Sequence, residues 1–331
     1  MTGMTRRALM RSIGAASLAV GLGAYPAASR GEDAAPSFSY PMGLPGRALG
    51  DGLLIRHGYA CENTWFFPGY WHTAEDWYLP EGDTAGLPVY AVAAGEVVFA
   101  GSDYPGRVVI VQHAADLYSM YGHLDYALAV AAGAPVARGQ PLGSVLARTD
   151  GRAPSHLHFE MRTFLTTPEV NGNAPRYGFS CGYECPPGPG YWPIDGPEHP
   201  SAMGWRNPTH VINHRAWGAS VPDGVEAVVT ALAPESASLW TAPAGKEDAK
   251  VMDDLPLASG DRYPLLAIDA GAEASTGTSA EAYHLWYRIG LPDGGDAWVQ
   301  AALSSTFDTG SDGRPSSVML ALCPTVVGEG E

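Results

Sequence analysis

The chain has 331 residues, of which 46% are apolar, enough to bury a sizeable core, and its 41 glycines and 28 prolines favour turns over long helices. It carries 19 basic against 35 acidic residues, a net charge of -16. Such a surface repels phosphate backbones and excludes nucleic acid as a natural partner, and it argues against simple charge attraction to anionic polymers.

The N-terminus reads as an export signal. Thr5-Arg6-Arg7-Ala8-Leu9-Met10-Arg11 is basic, Ser12 to Ala24 is mildly apolar, and Pro26-Ala27-Ala28-Ser29 offers small residues for cleavage. The paired arginines suggest a twin-arginine signal, with an ordinary secretory signal as the alternative. Residues 1–30 are therefore assigned to the signal, which places the chain outside the cytoplasm, periplasmic or extracellular. The apolar stretch is too short and interrupted for a membrane span, and nothing later in the chain is long and apolar enough to be one. The four cysteines, Cys61, Cys181, Cys185 and Cys323, suit disulfides in an exported protein. Cys181 with Cys185 would close a small ring and Cys61 with Cys323 a long clamp. A zinc site at Cys181 and Cys185 is the rival, and it lacks a second ligand pair.

Residues 31–68 read as a Pro- and Gly-rich lead-in. From Gly69 short strands follow: Val89 to Phe99 as strand, turn, strand, then Val108 to His113, Tyr118 to His123, Gly143 to Ala147 and His156 to Arg162. Their short connections predict an antiparallel sheet. Residues 165–205 form a long irregular insert, and Asn207 to Ile212 a turn that closes the first domain over 69–215. A second unit over 222–331 has strands at Val225 to Leu232, Leu285 to Ile289 and Asp296 to Val299. The fold class is mainly β.

Four short segments carry candidate chemistry. Trp71-His72-Thr73-Ala74-Glu75-Asp76-Trp77 places an imidazole and a carboxylate four residues apart, able to reach one metal from a turn. Tyr121-Gly122-His123-Leu124 supplies another imidazole. His156 and His158, in Ser155-His156-Leu157-His158-Phe159-Glu160, share one face if that segment is a strand. A catalytic zinc takes three protein ligands and keeps one position open. His72, Asp76 and one histidine of the pair meet that count, and two imidazoles remain to accept and hold a proton.

The segment from Gly69 to Arg162 resembles the lysostaphin/LytM-type zinc metallopeptidases, which cleave peptidoglycan peptides. The resemblance rests on His72 with Asp76, on Tyr121-Gly122-His123-Leu124, and on His156-Leu157-His158-Phe159-Glu160. Val89-Tyr90-Ala91 with Gly95-Glu96-Val97-Val98 and Gly139-Gln140-Pro141-Leu142-Gly143 also match. It implies an antiparallel-sheet peptidase domain with one zinc ion held by His72, Asp76 and His158. His123 and His156 would be the catalytic histidines, and peptidoglycan peptides the partner. Ala153-Pro154-Ser155 replaces the family's frequent Gly-Pro, and Glu75 stands where a hydrophobic residue is common. Glu160 could share the face of His158 and support it. Residues 222–331 resemble a small bacterial SH3-like barrel through Leu239-Trp240, Trp286-Tyr287-Arg288-Ile289 and Ala297-Trp298-Val299; that unit would bind wall peptides or simply pack. His113 reads as structural, and His57, His199, His210, His214 and His284 have no partner the sequence assigns. Two other readings are a LytM-like regulator of a wall amidase, which would lack ligands, and a wall-binding protein. Oligomeric state is silent in the sequence.

Overall fold

A computed structural model describes residues 37–63, 67–101, 106–178, 183–196, 198–215, 220–271, 283–304 and 318–326. The signal segment, Cys181 and the polar loop after Gly271 lie outside the described residues, which belong to one compact unit, Ala35–Glu331.

The described chain is almost all strand. The first half contains β1 (Leu54–His57), β2 (Glu62–Asn63), β3 (Phe67–His72), β4 (Glu75–Tyr78), β5 (Pro88–Tyr90), β6 (Gly95–Gly101), β7 (Arg107–Ala114) and β8 (Leu117–Leu124). Then come β9 (Pro135–Val136), β10 (Pro141–Ser144), β11 (Leu157–Arg162), β12 (Tyr191–Pro193), β13 (Trp205–Arg206) and the helix α1 (Pro208–Arg215). The C-terminal part adds β14 (Val225–Val229), β15 (Ser236–Trp240), β16 (Val251–Pro256), β17 (Arg262–Asp269), β18 (Trp286–Gly290), β19 (Asp296–Gln300), β20 (Ala302–Ser304), β21 (Val318–Leu320) and β22 (Leu322–Val326).

Every pairing among the described strands is antiparallel, as short connections favour. The main sheet runs β20-β21-β1-β4-β11-β8-β7-β6-β9, with β13 also on β11. Its central strands β4, β8 and β11 are buried along their whole length. A seven-stranded sheet, β16-β15-β19-β18-β17-β14-β22, follows. The strands predicted around residues 108–113, 118–123, 156–162, 225–232, 285–289 and 296–299 are all present within a few residues. The expected strand at Gly143 to Ala147 lies earlier, as β10, where it pairs with β5.

One hydrophobic cluster links both sheets, running from Phe38, Tyr40 and Met42 through Trp77, Tyr121 and Phe159 to Tyr283, Tyr287 and Leu320. The lead-in is therefore core-forming: Phe38, Tyr40 and Tyr59 are buried, and β1 enters the main sheet between β4 and β21. Polar contacts join the same regions. The Tyr283 hydroxyl accepts from Tyr59 N at 3.0 Å, and Asn213 Nδ2 donates to the Tyr40 hydroxyl at 2.8 Å.

Two expectations are corrected. Residues 207–212 are a cap and a helix, not a turn. Asn207 Oδ1 accepts from His210 N at 3.1 Å, and Pro208 opens the helix where its missing N–H costs nothing. The capping signal was in the sequence, but an eight-residue helix with weak apolar periodicity hid it. The Cys61–Cys323 clamp is absent, since neither cysteine is in a disulfide and both are buried. Cys61 sits against Tyr59 and Tyr283, whereas Cys323 is held in β22 opposite Val228, close to Tyr40 and Tyr287.

Helix α1 is also tied to β4. Thr209 donates to Glu75 Oε1 through its hydroxyl at 2.6 Å and its backbone N at 3.0 Å, and Trp77 Nε1 donates to Oε2 at 3.0 Å. Glu75 is thus the buried acceptor that fastens the helix to the sheet, which accounts for a carboxylate where a hydrophobic residue would be usual. Asn207→Ala removes the cap and is expected to cost about 1 kcal/mol, read as a lower urea midpoint with an unchanged slope.

Candidate metal centre

Strand register assembles the site. Asp76 on β4 is the cross-strand partner of His57 on β1 and of His158 on β11. His158 in turn faces Gly122 on β8. Residues directly opposite in an antiparallel pair project to one side, so His57, Asp76 and His158 form a row across three strands. His72 closes β3, and a two-residue turn brings it back over Asp76. Gly122 keeps the row open, because a Cβ there would sit 3.3 Å from the His158 Cβ.

His123 reaches the site by breaking the strand alternation. Its neighbour Gly122 faces His158, so a regular strand would aim His123 at the opposite side of the sheet. Instead His123 has φ +59°, in the left-handed region. That turn brings its ring to 4.7 Å from His156 and 5.7 Å from His158, centroid to centroid. A non-glycine residue held there costs of order 1–3 kcal/mol, and such strain clusters at functional sites.

Asp76 is the hub. Its Oδ1 lies 3.2 Å from His158 Nδ1 and 3.5 Å from His72 Nε2, while Oδ2 lies 3.5 Å from His57 Nδ1 and 3.7 Å from His156 Nε2. His72 Nε2 and His158 Nδ1 are 3.3 Å apart. All five side chains singled out from the sequence are therefore together, and His57 joins them. It was missed because it stands fifteen residues before His72, outside any motif, and reaches the site only through strand pairing.

The donor set fits zinc. In a tetrahedral site with bonds of about 2.0–2.1 Å, donor atoms are separated by roughly 3.3–3.4 Å. His72 Nε2, Asp76 Oδ1 and His158 Nδ1 lie at 3.3, 3.5 and 3.2 Å from one another. An alternative trio, His57, His72 and Asp76, also brings one donor from each within 4.8 Å. It fits less well. The His57 and His72 rings are stacked at 3.8 Å and 7°, and imidazole lone pairs lie in the ring plane, so these two rings point along parallel planes and not at one centre.

Electrostatics support the same set. Burial, with the neighbouring His57 imidazole next, holds His72 well below its usual range, so it is neutral and free to donate a lone pair. Burial works against the charge on Asp76, but the imidazoles gathered round it, two of them hydrogen-bonded to it, overcome that and hold the carboxyl well below the usual carboxylate range. Burial also opposes charge on His158, yet hydrogen bonding to Asp76 and Glu160 pushes it up to about 9. A cation bound there would replace that proton and interact with the same acids.

Outer contacts orient His158. Its Nε2 lies 3.3 Å from Glu160 Oε1, which also accepts from Thr73 Oγ1 at 2.8 Å, while Glu160 Oε2 accepts from Trp205 Nε1 at 3.1 Å. A carboxylate behind a histidine fixes the ring and its tautomer for metal binding. Arg162, fully buried, lies 3.5 Å from Glu160 and donates to the carbonyls of Pro186 and Pro187. The insert thereby packs beneath the centre. Gly190, at φ +72°, passes so close to His158 that a Cβ would come within 3.3 Å of Cε1. On the other flank Tyr191 lies 5.3 Å from the His72 ring and 4.8 Å from Phe67, making an aromatic wall.

With this geometry in view, residues 71–174 match Peptidase family M23. That segment, under a third of the chain, is the part that resembles the LytM-type peptidases. Over 79 residues it is 40% identical to the cell division protein DipM of Caulobacter vibrioides, which covers 23% of this chain and 13% of the relative's length. The chain thus spans only a small part of that protein. Lysostaphin from Staphylococcus simulans aligns over 87% of this chain and 98% of its own, at 15% identity and a TM-score of 0.32. A zinc-containing peptidase from Vibrio cholerae aligns over 38% and 36% of the two chains, at 26% identity and a TM-score of 0.29. At scores this low no assignment of a site residue rests on the structural likenesses.

Replacing Arg162 by Leu takes away the guanidinium beside the buried Glu160 carboxylate and is expected to cost about 3–5 kcal/mol, measured by urea unfolding. The double change Glu160→Gln with Arg162→Leu should recover part of that loss.

Proposed function

We propose that this protein is an exported zinc metalloendopeptidase that hydrolyses peptide bonds in peptidoglycan stem peptides or cross-bridges. The observation that carries the reading is the three-donor set of His72, Asp76 and His158 at tetrahedral spacing, with two further imidazoles beside it. One zinc ion, when bound, would supply Lewis acidity for polarising a scissile carbonyl and activating water.

The chain's own residues do the rest. His72 and Asp76 hold the metal from the two ends of a tight turn, and His158 holds it from the neighbouring strand. His156 donates through Nδ1 to the Pro154 carbonyl at 2.7 Å, which fixes its ring and leaves Nε2 facing the centre. In this reading His156 and His123 accept a proton from the attacking water and pass it to the leaving amine. In this reading the aromatic wall of Tyr191 and Phe67 flanks the bound peptide. The acidic surface disfavours polyanionic targets, in keeping with a peptide substrate. Peptidoglycan places the protein in the periplasm or outside the cell, and the Arg6-Arg7 signal would take it there; no helix among the described residues is long and apolar enough to cross a membrane. The C-terminal tryptophans Trp240 and Trp286, 5.8 Å apart and edge to face, are the feature that would suit an SH3-like module.

A second reading is a non-catalytic regulator that activates a wall amidase, and the likeness to a cell division protein is the observation that favours it. Such a protein would need none of the five residues intact, whereas here each is present. His72→Ala and His158→Ala are expected to abolish zinc binding and digestion of purified sacculi together. His123→Ala should retain zinc and lose turnover by about 10²–10⁴-fold. Release of muropeptides by His123→Ala at the parent rate, followed by mass spectrometry, would remove the catalytic assignment.

A further inference from the structure

Beyond the five residues of the proposed site, His57 stands out. It is 8% exposed, it lies in the same cross-strand row as Asp76, and its Nε2 has no hydrogen-bond partner among the described residues. Its ring makes two contacts that a core histidine does not need. The face lies flat on His72 at 3.8 Å, and Nδ1 lies 3.5 Å from Asp76 Oδ2.

The Asp76 carboxylate divides its oxygens between these neighbours. Oδ2 is turned to His57 and His156, and Oδ1 to His72 and His158. A carboxylate free to rotate would exchange the two oxygens or offer both. Holding Oδ2 aside leaves one oxygen at ligand spacing from two imidazoles. The stack on His72 restricts the other ligand, whose own Nδ1 has no hydrogen-bond partner among the described residues to hold the ring. A histidine ligand usually has its second nitrogen anchored by a hydrogen bond, and His72 has ring stacking in that place.

We infer that His57 is a positioning residue of the metal centre, holding Asp76 through Oδ2 and bracing His72 by stacking. It is not a fourth ligand, since its lone pairs lie in a plane parallel to that of His72. The inference rests on the zinc reading above. It makes β1 part of the metal centre, although this strand lies before the segment that matches the peptidase family.

Zinc affinity of the full chain, measured by competition with a chromophoric chelator, tests this without recourse to activity. Folding of each variant is checked by circular dichroism. His57→Ala is expected to weaken zinc about 10–100-fold, the range found when outer contacts of metal ligands are removed. His57→Asn, whose amide N–H stands where Nδ1 does and can reach Asp76 but cannot stack, should fall between parent and alanine. Should alanine fail to fold, the asparagine variant alone decides. An affinity within twofold of the parent in whichever folded variant is most severe would overturn the inference. So would a cobalt-substituted protein whose absorption spectrum changes coordination number in His57→Ala, because that marks a lost ligand. A parent chain that takes up no zinc at all would sink the metal centre itself, and this role with it.

Discussion

A single buried carboxylate organises this protein. Asp76 lies among four imidazoles, and strand register sets two of them, His57 and His158, directly across from it. Three neighbouring strands must be in step for His57, Asp76 and His158 to form a row. A slip of one residue in β4 would turn Asp76 to the other face and scatter the donors. The surrounding interior makes such a slip costly, because β4, β8 and β11 are buried on both faces and every residue along them has packed neighbours.

The burial that fixes the register also sets the chemistry. Imidazoles in a dry site prefer to be neutral, and neutral imidazole is the form that ligates. A carboxylate in a dry site needs positive charge close by, and hydrogen bonding to Asp76 and Glu160 raises His158 accordingly. Glu160 and Arg162 carry the argument one layer outward, where an acid and a guanidinium hold each other inside the protein and bind the insert to the sheet.

Much of this was legible in the sequence. Alternation and turn residues gave the strands from Val108 to Arg162, since short apolar runs between glycines have few other solutions. His72, Asp76, His123, His156 and His158 stood out because their spacing is local or two-fold periodic. What escaped was non-local. His57 reaches Asp76 only by pairing β1 with β4, and β1 carries no motif. Phe38 and Tyr40 looked like a lead-in because prolines and glycines surround them, yet their rings fill the core. Asn207 and Pro208 had the chemistry of a helix start, and brevity concealed it. Cys61 and Cys323 invited pairing by even count, whereas each is consumed by a different part of the interior.

The insertion of β1 between β4 and β21 has a wider consequence. Proteins built as beads on a string can exchange their beads by recombination, since each bead closes its own hydrogen bonds. Here a strand from before the peptidase segment and one from near the far end of the chain are woven side by side into the sheet that carries the site. Excising the recognisable cassette would expose the bare edge of β4 and unseat the carboxylate at its centre. The strands that flank the site therefore have to fold together with the segment that carries it.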